Sequence, residues 1–195
     1  MPVVPEREYR LASLLNPSDE NYIVEGYATT FNMPYVLYED EGIKYMEVID
    51  RHALDNADMS DVILQFDHQG KVFARQSNGT LEIRIDDKGL HVRADLSKSE
   101  AARGLYEEIK NGLVTKMSWS FVIDADEYNR DTHTRTLLKI KKVYDVSAVS
   151  IPANPFTDIS ARSFFNGVIE AEKQERLCQM ARDKQIKKIK LLMEV

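Results

Sequence analysis

The chain has 195 residues, enough for one domain with a tail, and its 43% apolar and 30% charged residues are those of a soluble globular protein. A single cysteine, Cys178, excludes an internal disulfide and a cysteine-built metal cluster. A net charge of −6 without a basic, aromatic-studded patch argues against nucleic acid as a partner, and no apolar run approaches the roughly 20 residues of a membrane span.

In chain order, "MPVVPEREYR" lacks the basic-then-apolar pattern of a secretory signal, so a cytoplasmic setting is expected. "YIVEGYATTF" (22–31), "IKYMEVI" (43–49) and "DVILQFD" (61–67) read as strands. "GTLEIRIDDKGLHVRADL" (79–96) alternates apolar and charged residues on both sides of "DDKG" and predicts a hairpin. Ser97 and Glu100 have capping-box spacing and open a helix whose apolar side is Ala101, Leu105 and Ile109, with Gly112 just past its end. "VTKMSWSFVI" (114–123) returns to strand, "DADEYNRDTHT" is a polar loop, and "RTLLKIKKVYDVSAVSI" (135–151) is one or two strands. "PANP" (152–155) stops regular structure. From about Ser163 a proline-free, charged stretch predicts a long terminal helix. Its last part, residues 170–195, carries a net charge of +2 and leaves −8 on the rest. The expected class is α+β, an antiparallel sheet with one or two helices.

Few residue types here carry chemistry. In a strand, Met117, Trp119 and Phe121 share one face, expected to be the core side, and Ser118, Ser120 and Val122 share the other. The two serines then either face water or offer a nucleophile on an outer wall. His68 ends "VILQFDHQG"; it is a general base in one reading and a turn histidine in the other. Strict alternation places it on the face of Leu64 and Phe66. Asp145 lies among β-branched residues, where it either orients a protonated histidine or blunts a sheet edge. His52, His91 and His133 are weaker candidates, and no histidine pair has metal-ligand spacing. Nucleophile-elbow, P-loop and dinucleotide glycine motifs are absent.

The order of several segments resembles the prohead maturation proteases of tailed bacteriophages, which are similar in fold and mechanism to herpesvirus assemblins. The segments are "VEGYATTFN" (24–32), "MEVIDRHAL" (46–54), "LQFDHQGKVFARQSNGTLEI" (64–83), "DDKGLHVRADL" (86–96), "GLYEEIKNGLVTKMSWSF" (104–121) and "DVSAVSIPANPFTDISARS" (145–163). The resemblance implies an N-terminal extension (1–21), a protease domain (22–163) built as a closed antiparallel β-barrel with surrounding helices, and a charged C-terminal helix (164–195). It makes Ser118 the nucleophile, His68 the base and Asp145 the third member. Ser120 stands where the family usually has glycine and is the fallback nucleophile. By analogy with assemblins, oxyanion donors fall among Ser147, Ala148, Val149, Ser150 and Ile151. The implied function is a serine endopeptidase that needs neither metal nor cofactor. It would act on the major capsid protein precursor, scaffold segments and itself, inside the immature procapsid in the host cytoplasm, as a homodimer. The alternative is a non-catalytic β-barrel scaffold or structural component of the procapsid.

Overall fold

A computed structural model describes residues 7–12, 16–18, 22–149 and 159–193. Its elements are β1 (Glu8–Ala12), β2 (Asn16–Pro17), β3 (Ile23–Thr30), β4 (Tyr35–Asp40), β5 (Ile43–Ile49), β6 (Ile63–Phe66), β7 (Gln69–Arg75), β8 (Leu81–Ile85), β9 (Gly89–Asp95), α1 (Glu100–Lys110), β10 (Lys116–Asn129), β11 (Thr134–Val149) and α2 (Ile159–Met193). The α+β class follows directly.

The backbone of the fold is the antiparallel pair β10 and β11, 14 and 16 residues long. The polar stretch after Ile123 is a turn only at residues 130–133; up to Asn129 it extends β10 through register irregularities, and Asp126 spends its charge on Arg135 of the facing strand, whose Nε donates to Asp126 Oδ2 at 2.5 Å. The far edge of β11 serves two strands in succession. Residues 134–137 pair in parallel with β5, and residues 145–148 pair in parallel with β6. With β1 on the other side of β10, β4 beside β5 and β7 beside β6, this makes a seven-stranded sheet. A second sheet runs β2-β3-β9-β8.

Among the described residues no closed barrel is found. Among the described residues β1, β4, β7, β2 and β8 each pair with a single strand. Because β11 carries β5 and β6 one after the other on one edge, the large sheet branches there instead of curling round to meet itself. Both sheets and α1 cover one core, in which Val24, Leu90, Val92, Leu105, Ile109, Trp119, Phe121 and Val146 are buried. Met117, Trp119 and Phe121 fill the interior as expected. A smaller cluster of Leu37, Tyr45, Phe165 and Ile169 docks the start of α2.

Local chemistry explains the turns. In the expected "DDKG" hairpin, Asp86 Oδ1 accepts the backbone N–H groups of Lys88 (2.8 Å) and Gly89 (3.0 Å). A Cβ at Gly89 would lie 1.9 Å from the Thr29 carbonyl oxygen, so only glycine lets β9 approach β3 there. The α1 helix is capped by Ser99, not Ser97: Ser99 Oγ accepts Ala102 N–H at 3.1 Å, while the Ser97 N–H is taken by Asp95. The helix starts at Glu100, so Ser99, directly before it, is the residue in the capping position.

Candidate active site

Sheet register brings the site together. Across β1, β10, β11 and β6, Tyr9, Ser120, Asp145 and Ile63 lie in one row, and Leu11, Ser118, Ser147 and Gln65 in the next. Directly opposed residues point to the same side of a sheet. Ser118 and Ser120 therefore share a face with Asp145 and Ser147, while Met117, Trp119 and Phe121 turn to the core. That serine face was expected to be an outer wall. It is not: Ser118, Ser120, Ser147 and Asp145 are all fully buried.

His68 reaches the same face through an unusual turn. β6 and β7 are joined by only Asp67 and His68, with φ of 47° and 56°, flanked by the pair Phe66–Gln69. Two consecutive left-handed residues are what a two-residue hairpin of right-handed twist demands. For non-glycine residues this costs about 1–3 kcal/mol each and is found where surrounding structure enforces it. Strand alternation ends at Phe66, so His68 leaves the face of Leu64. Its Nδ1 lies 2.5 Å from Asp145 Oδ1.

Asp145 is the hub. Oδ1 also accepts Ser147 Oγ at 2.8 Å. Oδ2 accepts Ser120 Oγ and, at 2.7 Å, a guanidinium N–H of Arg7. Burial alone pushes this carboxyl up. Hydrogen bonds from His68, Ser120 and Ser147, with the charge of His68, outweigh burial and hold it below the ordinary carboxylate range. It is thus a buried, ionised acceptor and not an edge-strand charge.

Among the described residues, three atoms of the cluster have no partner: His68 Nε2, Ser118 Oγ and Arg7 Nε are buried without a hydrogen bond. Ser120 differs, since its proton is committed to Asp145. The other histidines are engaged elsewhere: His52 with Asp55, His91 edge-on to Tyr27, and His133 with Tyr128. Ser147 and Ala148 lie between two paired strands, and Val149 pairs with Lys116. Ser150 and Ile151 lie outside the described residues. Arg7 and Tyr9, whose ring meets the His68 imidazole edge-on at 4.7 Å, escaped sequence reasoning. Nothing local to "REYR" signals a partner 138 residues away.

A family model described as caudovirus prohead serine protease matches residues 8–177. The prohead protease of Enterobacteria phage HK97 is 27% identical over 147 residues, which cover 75% of this chain and 62% of that protein. The chain thus matches less than two thirds of the length of this curated relative. Among solved structures, the bacteriophage T4 capsid assembly protease aligns with a TM-score of 0.48 and 10% identity, over 75% of this chain and 99% of that one.

Proposed function

The chain belongs to the caudovirus prohead serine protease family, and from that premise we propose that it is a serine endopeptidase acting from Ser118, His68 and Asp145. Its substrates are scaffold segments and the major capsid protein precursor inside an immature phage procapsid, and its own chain. The observation that carries the reading is the part-buried His68–Asp145 pair beside a strand whose Ser118 Oγ has no partner among the described residues.

The chemistry is acyl transfer. His68 Nε2 takes the Ser118 hydroxyl proton as Oγ adds to the peptide carbonyl. Asp145 holds Nδ1–H, fixing the tautomer and stabilising the imidazolium. Collapse of the tetrahedral adduct breaks the C–N bond, and the amine leaves with the proton from Nε2. Water then repeats the sequence on the ester and restores Ser118. Ser120 is the poorer nucleophile because its proton is given to the carboxylate, which cannot pass it to a leaving amine. The oxyanion donors are sought among Ser147, Ala148, Val149, Ser150 and Ile151, of which the first three lie in sheet ladders. Losing one such donor costs about 3–4 kcal/mol of transition-state stabilisation.

Association with a second copy is supported by the outer half of α2, where Leu177, Met180, Ile186 and Ile189 are exposed. The deciding experiment is reaction with a fluorophosphonate followed by peptide mapping, alongside co-expression with a capsid precursor. Label on Ser118, absent in His68→Ala, and loss of processing in a folded Ser118→Ala variant are expected. Wild-type processing by Ser118→Ala would remove this serine from the mechanism and favour the non-catalytic alternative.

A further inference from the structure

We propose that Arg7 is a positioning residue of this site: its guanidinium takes Oδ2 of Asp145 and leaves Oδ1 aimed at the His68 imidazole. Its consequence for catalysis rests on the endopeptidase reading above, whereas the contact stands on geometry alone.

The two carboxylate oxygens are divided between two sets of donors. Oδ1 meets His68 Nδ1 at 2.5 Å and Ser147 Oγ at 2.8 Å. Oδ2 meets Arg7 at 2.7 Å and Ser120 Oγ. Arg7 has a built seat: its guanidinium carbon lies 4.2 Å from the centre of the Tyr144 ring, the residue next to Asp145, and 6.0 Å from that of Tyr9. Tyr9, two residues along the same strand face, packs edge-on against His68. One short N-terminal segment thus touches both members of the pair.

The segment is fixed in place. On its other face Glu8 and Arg10 are buried, and Arg10 donates to Glu47 through Nε at 2.6 Å and through Nη2 at 2.8 Å. Pulling β1 away would strand those charges, so Arg7 is held on Asp145 by the fold and does not swing there on a loose strap.

The charge has a specific use. Imidazole is a cation for only part of a catalytic cycle. Whenever His68 is neutral, Asp145 is a fully buried anion whose hydroxyl partners carry no charge. Among the described residues the cations paired with it are Arg7 and, when protonated, His68. The titratable groups around it are His68 from the β6–β7 turn, with Asp67 beside it, Arg7 and Tyr9 from the N-terminal segment, and Tyr144 next in chain. Arg7 therefore keeps Asp145 ionised in the half of the cycle when the imidazole does not, and it fixes the plane of the carboxylate.

The test uses the full chain with Arg7→Met, Arg7→Gln and Arg7→Lys. Two quantities are read: the Asp145 side-chain carboxyl titration by ¹³C NMR in a Ser118→Ala background, which cannot digest itself, and the rate of fluorophosphonate labelling at Ser118. Thermal melts establish folding, and Arg7→Gln serves if Arg7→Met does not fold. The neutral variants should raise the Asp145 titration and slow labelling about tenfold or more, and Arg7→Lys should stay within about threefold of wild type. Rescue by lysine separates charge from packing. A folded neutral variant with an unchanged Asp145 titration overturns the proposal. If wild type itself does not label at Ser118, the endopeptidase reading fails and the carboxyl titration alone decides the role of Arg7.

Discussion

The two faces of β1 hold two buried polar clusters of similar make-up and opposite character. On one face Glu8, Arg10, Tyr35, Glu47, Asp126 and Arg135 form a network in which Arg10 bridges Glu8 and Glu47, Tyr35 donates to Glu47, and Arg135 reaches Glu8 at 3.3 Å and Asp126 at 2.5 Å. On the other face Arg7, Tyr9, His68, Ser120 and Asp145 meet. No side-chain atom of the first cluster is buried without a partner, whereas Arg7 Nε, His68 Nε2 and Ser118 Oγ of the second region are. A buried donor or acceptor without a partner costs about 1–3 kcal/mol. A cluster serving stability alone would be closed, as the first is. The second leaves three such atoms open among the described residues, two of them on the proposed base and nucleophile.

The largest effect expected from breaking this contrast is at Asp145. Asp145→Asn keeps the shape but favours the wrong imidazole tautomer, and labelling of Ser118 should fall by about 10⁴ with the fold retained. A fall of less than tenfold would make the second cluster as structural as the first. Next is Glu47→Ala, which leaves Arg10 buried without its main carboxylate and should destabilise the chain by about 3–5 kcal/mol in urea unfolding. Labelling of its folded fraction should continue at the wild-type rate. If labelling falls in step with Asp145→Asn, the two clusters are one unit.

The smallest effect is one the clusters share. Burial raises the proton affinity of the Glu47 carboxyl, but the charges and hydrogen bonds of Arg10, the charge of Arg135 and the Tyr35 hydrogen bond outweigh it, so Glu47, like Asp145, titrates below its ordinary value. Both carboxyls therefore bind protons more weakly folded than unfolded. The stability they add is complete above the unfolded carboxylate range, at about pH 5 and higher, and is lost as pH falls through that range toward the folded values. Chemical unfolding between pH 7 and pH 3 should show this decline, with a shallower slope in Glu47→Gln. An equal slope would remove Glu47 as a source of acid lability.

Much of the path was legible. The "DDKG" hairpin, α1 and the inward face of Met117, Trp119 and Phe121 follow from periodicity and turn chemistry, and the terminal helix from a proline-free run of helix formers, because these signals act between residues a few positions apart. Ser118, His68 and Asp145 were picked out by the order of motifs, and the fold brings the last two within hydrogen-bonding distance. Other features were misread for lack of a partner in view. Asp126 and its neighbours read as loop because the arginine that uses that charge lies across the ladder. The serine face read as outer wall because alternation within one strand does not show whether its second face is covered.

By itself, then, the sequence determined the local elements and the residue types able to do chemistry, since those depend on neighbours along the chain. Tertiary structure alone decided that the sheet branches at β11 instead of closing, that two left-handed residues throw His68 onto the carboxylate, and that Arg7 shares it. Those outcomes rest on contacts 77 and 138 residues apart, where no pattern in a single strand reaches.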